Sequence, residues 1–362
     1  MIYKVIGVMS GSSLDGMDIV FSELHENGGK WNYAIKNTRC VAYDTAWEQK
    51  LRDAINLPAR DYLLLHADYG RFTGQKINEF IDEEKLHHHV NLISSHGHTT
   101  FHLPECKMTH QLGDGAAIAA ETKLPVVSDL RAMDVAFGGQ GAPIVPLGEK
   151  LLFVAYDYFL NIGGIANISV NTENNMIAFD VCAANRVLNM LAGEKELAYD
   201  NGGIISSRGS VNEDLLEKLN ALAYYQFPHP KSLANSFGVD IIYPLIKSYG
   251  LTVEDALRTY TEHICIQITN SLRTFKNEAI QKIFITGGGA FNTFLVERIQ
   301  QHLEEINFEI FIPSDEVVIY KEALIMALLG ALRWREQYTV LASVTGALRN
   351  SIGGALWLGT EA

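Results

Sequence analysis

The sequence has few cysteines and no long apolar run. Its four cysteines are far apart and form no C-x-x-C pair; they are Cys40, Cys106, Cys182 and Cys265. This spacing favours reduced thiols in a reducing compartment over a disulfide framework or a zinc ribbon. No apolar run is long enough to cross a membrane, and the first residues lack the pattern of a signal peptide. We therefore expect a soluble, cytoplasmic protein without a membrane partner.

Clustered positive charge is also missing. The chain has 29 Lys and Arg against 42 Asp and Glu, a net charge of -13, and no basic run. A nucleic-acid backbone is held by clustered Lys and Arg, so nucleic acid is excluded as the expected partner. A protein of this charge that binds a polyphosphate must concentrate positive potential locally, through backbone N–H groups, a metal ion or a few cations.

Three common motifs are absent: a Walker A loop, a G-x-G-x-x-G turn after the first strand, and a G-x-S-x-G nucleophile elbow. What remains is an ordinary globular composition, 362 residues with 48% apolar and 20% charged side chains. That length suggests two domains or one large one.

A pattern of three strands recurs along the chain. Residues 3–9, 17–24 and 31–43 read as a β-meander entered through a Gly/Ser turn. Residues 158–162, 165–170 and 176–180 repeat it after a Gly-Gly turn, and a helix over 185–191 follows. The repeat predicts two similar α/β domains facing one another, 1–148 and 149–362, with the glycine-rich stretch 138–143 as the crossover.

Helical periodicity marks four further segments: 61–84, 115–122, 252–275 and 322–337. Residues 90–94 read as a short strand that ends before Ser95-His96-Gly97-His98-Thr99. Residues 282–286 read as a strand that runs into Gly287-Gly288-Gly289.

The two glycine turns are candidate phosphate sites. In the first, small residues expose consecutive N–H groups, the hydroxyls of Ser12 and Ser13 add donors, and Asp15 could hold Mg²⁺ directly or through water. The second, Asn161 to Asn167, occupies the equivalent place in its own meander. Two such turns could grip one polyphosphate, whereas each alone could be an ordinary hairpin.

Two other features bear on chemistry. The three glycines from Gly287 would let the backbone approach a flat ligand such as a nucleoside, or form a tight strand–helix turn. Asp180, at the end of a strand, suits a general base, or caps the helix that follows. His96 and His98 could bind a metal, although hydrogen bonding to a substrate or loop is the preferred interpretation.

These segments together resemble the anhydro-N-acetylmuramic acid kinase family over nearly the whole chain. Residues 7–18 are similar to its G-x-M-S-G-T-S-L-D-G-x-D nucleotide loop, with Ser12 for Thr, and residues 95–99 to its S-H-G-Q-T motif. Residues 111–114 match Q-I/L-G-D. The stretch from Asp129 to Pro143 matches the long D-F-R…D-V-A-x-G-G-Q-G-A-P signature, and residues 160–168 and 287–292 match two further motifs.

The resemblance implies an actin/hexokinase-type fold, two duplicated RNase H-like domains with a nucleotide and substrate cleft between them. It implies a Mg²⁺- and ATP-dependent kinase, usually a homodimer, that hydrolyses the 1,6-anhydro bridge of anhydro-N-acetylmuramic acid and phosphorylates O6 of this sugar. Asp180 would activate the water. Sugar contacts would come from His96, Arg131, Asn185 and Glu322. The nucleotide would be held by Gly11, Ser12, Ser13, Leu14, Asp15, Gly16, Met17, Asp18, Gly163, Gly164, Gly287, Gly288 and Gly289.

Two segments depart from the family pattern. Where the family has F-D-T-G-P-G-N, this chain has Phe179-Asp180-Val181-Cys182-Ala183-Ala184-Asn185. Where it has P-K-S-T-G-R-E, the chain has Leu233-Ala234-Asn235-Ser236 after Lys231-Ser232, without the Arg and Glu. Both changes fall near the expected sugar site, so two alternatives stay open. One is a kinase of another anhydro sugar such as levoglucosan, and the other is an ATP-binding regulator of the same fold.

Overall fold

The computed structural model of the protein describes residues 1–11, 14–171, 176–229, 231–234 and 236–359. Twelve strands run in chain order: β1 (Ile2–Ser10), β2 (Gly16–Asn27), β3 (Lys30–Ala42), β4 (Leu92–Leu103), β5 (Met108–Leu112), β6 (Val126–Ser128), β7 (Tyr158–Ile162), β8 (Ile165–Asn171), β9 (Met176–Ala183), β10 (Gln281–Thr286), β11 (Phe308–Phe311) and β12 (Ala355–Trp357).

Within the described part of the chain, twelve α-helices accompany the strands: α1 (Thr45–Asp53), α2 (Ala59–Glu83), α3 (Gly115–Thr122), α4 (Ala132–Ala136), α5 (Pro146–Leu152), α6 (Asn185–Gly193), α7 (Glu213–Asn220), α8 (Tyr243–Lys247), α9 (Val253–Arg273), α10 (Thr293–Glu304), α11 (Asp315–Trp334) and α12 (Ala342–Thr345). A short π-helix, Phe237–Ile242, precedes α8. Among the helices of the described residues, none combines the length and the apolarity that a bilayer crossing needs.

The chain forms two compact units. One consists of Met1–Val154 together with Tyr320–Ala362, and the other of Ala155–Ile319. We call them the split unit and the continuous unit. The sequence prediction places a single boundary at 148/149 and assigns everything after it to a second domain. The structure differs because α11 returns to the first sheet, and the stretch 138–143 lies inside the split unit rather than between the two units.

The sheet of the split unit has the order β12-β6-β4-β1-β2-β3, with β5 paired to β4. Strands β1, β2 and β3 form an antiparallel meander, and β4 and β6 continue the sheet in parallel. The turn between β2 and β3 is Gly28-Gly29, with φ of 59° and 84°, values that glycine adopts without strain. One face of this sheet packs on α2 and α3 around Ile6, Ile77 and Ile93.

The sheet of the continuous unit has the order β11-β10-β7-β8-β9. Here β7, β8 and β9 form the antiparallel meander, and β10 and β11 continue it in parallel. One face buries an apolar core with α6, α7, α9 and α10, centred on Leu160, Ile264 and Ile285. Each unit therefore carries the same order of meander and parallel strands, which confirms two similar α/β domains.

Candidate active site

The turn after β1 holds the first group of predicted nucleotide ligands. Ser12 and Ser13 lie outside the described residues. Gly16 is needed for space, because a Cβ there would lie 2.7 Å from Val41 O and 3.0 Å from Cys40 Sγ. Met17 is fully buried in the core of the split unit, so its side chain supports the turn from below and does not face a ligand.

Asp18 is a buried carboxylate in a negative environment. Burial raises its pKa to about 6, a hydrogen bond with Cys40 opposes the rise, and the charges of Asp15 and Glu322 add to it. Three of the predicted site residues are therefore electrostatic neighbours. Among the residues that the structure describes, no three His, Cys, Asp or Glu form a group that could hold a metal by themselves.

His96 and Arg131 form a connected pair. Arg131 Nε donates to His96 Nε2 at 2.8 Å, and Arg131 Nη1 donates to Gly141 O at 2.6 Å. A guanidinium can only donate, so His96 Nε2 is the acceptor and Nδ1 donates to Gly97 O at 2.8 Å. Burial and the Arg131 charge lower the pKa of His96 to about 3. His96 is thus a neutral residue that orients Arg131, and it is not available as a base.

Arg131 is held on its other side by the glycine-rich stretch. Asp134 is fully buried, accepts from Gly141 N at 2.8 Å and accepts from Thr345 Oγ1 at 2.7 Å. These bonds fix the carbonyl of Gly141 that receives the guanidinium. Burial lowers the pKa of Arg131 to about 10, and the charges of Glu322 and Asp134 oppose the fall.

Glu322 lies within α11, seven residues after the helix begins at Asp315, and not at its start as the sequence predicts. Burial raises the pKa of Glu322, and the charges of Lys321 and Arg131 oppose the rise. The adjacent Lys321 is paired with Glu149 at 2.6 Å, both side chains being 3% exposed. This ion pair anchors the turn of α11 that carries Glu322.

A chain of hydroxyl groups, which the sequence analysis missed, leads to His98. Tyr69 and Tyr43 share a hydrogen bond at 2.5 Å, Tyr43 donates to Ser10 Oγ at 2.8 Å, and Ser10 Oγ lies 3.1 Å from His98 Nδ1. Burial lowers the pKa of His98 to about 4, so the ring is neutral. The predicted strand 90–94 extends to Leu103, so the histidines lie within β4, where His98 pairs in register with Ser10. Only this register could have revealed the contact.

In the continuous unit, Asp180 is fixed by the segment that follows Lys231. Its Oδ2 accepts from Leu233 N at 2.8 Å and from Ser232 Oγ at 3.3 Å. Its backbone N–H donates to Lys231 O at 3.0 Å, and its backbone O accepts from Tyr224 OH at 2.7 Å. Burial raises the pKa of Asp180, and the two bonds to Oδ2 oppose the rise. Among the described residues Oδ1 has no hydrogen-bond partner.

The alternative role for Asp180, a helix cap, is wrong. The residue before α6 is Ala184, and α6 has no side-chain cap. Instead Asp180 lies within β9, which continues to Ala183, at a β-bulge where Asn167 pairs with Asp180 and Ala166 with Cys182. The extra residue, Val181, changes the direction of the strand beside the carboxylate, a use of bulges that is common next to active sites.

The second glycine turn is bound to the start of α6. Ala184 N donates to Gly164 O at 2.8 Å, and Asn185 N donates to Gly163 O at 3.0 Å. Asn185 Nδ2 donates to Ile162 O at 2.9 Å, so this predicted sugar ligand braces the turn. A Cβ at Gly163 or Gly164 would meet no atom closer than 3.4 Å. The turn therefore offers a backbone surface that a ligand can approach.

Each of the three glycines after β10 has a different local environment. Gly287 has φ of 84°, which favours glycine, and a Cβ there would lie 2.6 Å from Asn161 Oδ1. A Cβ at Gly289 would collide with the side chain of Ile162. A Cβ at Gly288 would lie 3.6 Å from Asn185 Nδ2, an ordinary van der Waals contact. The structure thus brings both glycine segments and Asn185 together around Ile162.

Arg186 is a second residue that the sequence analysis missed. It lies in the first turn of α6, and a Cβ at Gly164 would be 3.8 Å from its Nε. Its Nε is buried without a hydrogen-bond partner. No ion pair joins it to any other described residue. Its sequence signal is weak, because a single Arg after Asn185 belongs to no motif.

Comparison with known proteins decides the family. A sequence model described as anhydro-N-acetylmuramic acid kinase matches residues 3–359. The chain belongs to the anhydro-N-acetylmuramic acid kinase family. It is therefore a kinase, an enzyme that transfers a phosphoryl group from a nucleotide to a sugar hydroxyl.

Individual relatives agree with the family match. The anhydro-N-acetylmuramic acid kinase of Sulfurovum sp. (strain NBC37-1) is 32% identical, with 98% of this chain and 99% of the relative aligned. The enzyme of that name from Vibrio parahaemolyticus is 31% identical over 97% of each chain. That from Bacillus cereus (strain ATCC 10987 / NRS 248) is 29% identical, again over 97% of each.

Two solved structures resemble the fold distantly. The activator of the 2-hydroxyisocaproyl-CoA dehydratase from Clostridium difficile, with bound ADPNP, has a TM-score of 0.43 and 15% identity over 93% of this chain and 96% of its own. The (R)-2-hydroxyglutaryl-CoA dehydratase component A of Acidaminococcus fermentans has a TM-score of 0.45 and 14% identity over 91% and 97%. Similarity at this level assigns no function.

Proposed function

We propose that the protein opens the 1,6-anhydro bridge of 1,6-anhydro-N-acetylmuramic acid with water and phosphorylates O6 with ATP, giving N-acetylmuramic acid 6-phosphate and ADP. The observation that carries the proposal is the environment of Asp180. One carboxylate oxygen is fixed by Leu233 N and Ser232 Oγ, and the other has no partner among the described residues. A base needs this combination, an oriented group with a free lone pair.

The chemistry follows from that geometry. Asp180 Oδ1 takes a proton from a water molecule, whose oxygen bonds to the anomeric carbon of the sugar. The bond from that carbon to O6 breaks, and O6 takes the γ-phosphoryl group of ATP. Burial raises the pKa of Asp180 and so makes it a stronger base than an exposed carboxylate, while the hydrogen bonds from Leu233 N and Ser232 Oγ stabilise the ionised form and oppose the rise.

The split unit fits a Mg²⁺ requirement. Mg²⁺ is usually bound by one or two carboxylates together with substrate phosphates and waters, so a cluster of three protein ligands is not needed. Asp15 and Glu322 raise the pKa of Asp18 by charge repulsion, and a divalent cation would relieve this repulsion. Asp15 is the proposed ligand. The ion would supply charge neutralisation on the ATP phosphates.

The sugar would be contacted by Arg131 and Glu322, with His96 orienting the guanidinium. Asn185, although it braces the Gly163–Gly164 turn, remains a proposed contact. The expected setting is peptidoglycan recycling by a cytoplasmic homodimer. A kinase of another anhydro sugar, such as levoglucosan, is a second candidate. It is favoured by the continuation of β9 through Cys182 and Ala183, both buried, where the family pattern has Gly-Pro-Gly.

The test is to incubate the purified protein with Mg²⁺-ATP and anhydro-N-acetylmuramic acid and to follow the product by mass spectrometry. A gain of one phosphoryl group and one water is expected.

Asp180→Asn should lower turnover by about 10²- to 10⁴-fold, the usual contribution of a general base, while ATP still binds. The exposed Asp214→Asn is the matched control. Turnover of levoglucosan alone would support the second candidate. No turnover of either sugar, or full activity of Asp180→Asn, would contradict the proposed mechanism.

A further inference from the structure

Arg186 is a cation without a counter-ion among the described residues of the continuous unit. Its Nε is buried and has no hydrogen-bond acceptor, and no carboxylate of the described residues pairs with it. A buried donor without a partner destabilises a fold, so such groups are uncommon unless a ligand supplies the acceptor. The observation therefore points to an anion.

The place of Arg186 on its helix supports this conclusion. Arg186 is the second residue of α6, at the end of the helix where the helix dipole disfavours a cation. The preceding residue, Ala184, offers no capping side chain. The N–H groups of Asn185 and Arg186 donate to the carbonyls of Gly163 and Gly164, so the buried Nε of Arg186 is the donor that remains without an acceptor among the described residues.

The path of the side chain places that charge at the second glycine turn. A Cβ at Gly164 would lie 3.8 Å from both Cβ and Nε of Arg186, and a Cβ at Gly238 would lie 3.9 Å from its Cδ. The stem therefore runs between two positions that have no side chains. Gly238 belongs to the π-helix Phe237–Ile242, an element that is often found at functional sites.

We propose that Arg186 binds the phosphate oxygens of the nucleotide at the Gly163–Gly164 turn. The inference rests on the proposed function, since it assigns the polyphosphate to that turn. A guanidinium matches phosphate oxygens with parallel N–H donors, and the bond is charge-assisted on both sides. An anionic group on the sugar has the same chemistry, so the experiment must separate the two sources.

The experiment measures direct binding of ATP, ADP and adenosine by calorimetry, without turnover, in the full-length protein. Arg186→Met keeps most of the stem and removes the charge. We expect about 10- to 100-fold weaker binding of ATP and ADP, as for loss of a charge-assisted hydrogen bond, with adenosine binding unchanged. Arg186→Lys should recover part of the loss, because Lys restores the charge without the paired donors.

The exposed Arg208→Gln is the control for a general change in net charge and should leave all three affinities unchanged. Equal weakening of adenosine and ATP by Arg186→Met would overturn the proposal, because it would indicate a structural role. Unchanged nucleotide binding with a raised KM for the sugar alone would also overturn it and assign Arg186 to the sugar. If the parent protein phosphorylates no anhydro sugar but Arg186→Met still loses ATP and not adenosine, the proposed function fails and this inference stands.

Discussion

The split unit and the continuous unit have the same strand order, but one face of the sheet carries small residues in the first unit and large aromatic residues in the second. In the split unit, Gly7 of β1 and Ser94 of β4 pair in register, and α11 lies directly against them. A Cβ at Gly7 would collide with Ala323 O, and one at Gly330 would lie 2.5 Å from Ser94 Cβ. Small residues on both elements thus allow backbone contact.

The continuous unit has large residues at the corresponding positions. Phe159 lies four residues before Gly163, as Gly7 lies four before Gly11, and it pairs with Phe284. The two rings are 5.6 Å apart, and Tyr156 and Phe311 extend the cluster. Topology therefore does not dictate how a face is covered. In the split unit, the small side chains on two adjacent strands allow α11 to approach the sheet closely.

The two buried carboxylates show a second contrast. Asp18 in the split unit and Asp180 in the continuous unit both have pKa values raised by burial. The neighbours of Asp18 include Asp15 and Glu322, which add negative charge, whereas Asp180 receives hydrogen bonds from Leu233 N and Ser232 Oγ. The first arrangement suits a cation, and the second suits a fixed, ionised base.

The largest effects on stability are expected from changing the size of the residue on the sheet face in each unit. Phe284→Ala should cost about 3–5 kcal/mol of unfolding free energy, because it leaves a cavity. Gly7→Ala should cost about 1–3 kcal/mol or more, because the added methyl meets backbone. Hydrogen exchange should show lost protection mainly in the continuous unit for Phe284→Ala and in β1 and α11 for Gly7→Ala. Gly193→Ala, where a Cβ meets no atom within 4 Å, is the control. Unchanged exchange of α11 in Gly7→Ala would contradict the comparison.

A smaller effect is expected from Asp18→Asn. Because the folded pKa of about 6 exceeds the value of 3.8 for an unperturbed Asp, the folded state binds the proton more tightly. In the parent protein this carboxylate therefore makes stability fall as the pH rises from about 4 to 6. Asp18→Asn should remove this part of the pH dependence in urea unfolding, and the exposed Glu105→Gln should not. A parent and an Asp18→Asn variant with the same pH profile would refute the raised pKa of Asp18.

The smallest effect is expected from Ser232→Ala. Loss of the 3.3 Å hydrogen bond removes one donor that stabilises ionised Asp180, so the pKa of Asp180 should rise further. The acid limb of the kcat/KM profile should then move to higher pH, with little change at the alkaline plateau. Ser248→Ala, whose hydroxyl bonds only to Leu245 O, should leave the profile unchanged. An unshifted acid limb would show that Ser232 does not tune the base.

Much of the fold could be predicted from local sequence. The meanders stand out because apolar runs end at glycine turns, and the strand at 158–162 agrees with β7 in both bounds. The return of α11 to the first sheet could not be predicted, since it depends on Gly7 meeting Ala323, more than three hundred residues further along the chain, and on Gly330 meeting Ser94. The extension of β4 through His96 and His98 could not be predicted either. The polar residues there interrupt the apolar pattern of a strand, and their hydrogen-bond partners, Arg131 and Ser10, become visible only in the structure.

Sequence analysis could propose the site residues that belong to motifs, but not those that are brought to the site only by tertiary contacts. Asp180 and the glycine turns were proposed from sequence because an acidic residue in a predicted strand and a Gly pair are visible there, although β9 continues past Asp180 to Ala183. The directions of the hydrogen bonds to His96, the hydroxyl chain to His98 and the unpaired Arg186 depend on tertiary placement. Each involves residues that belong to no motif or lie far apart in the chain.

The return of α11 also sets the order in which the two units can be completed during translation. The ribosome releases residues 155–319 as one uninterrupted stretch that contains every strand of its sheet. Strands β1 to β6 of the split unit emerge earlier, but the part of α11 that covers Gly7 and Ser94 and the strand β12 are made after residues 155–319. The split unit is therefore completed only after the continuous unit has been made, and one face of its sheet stays without α11 until then.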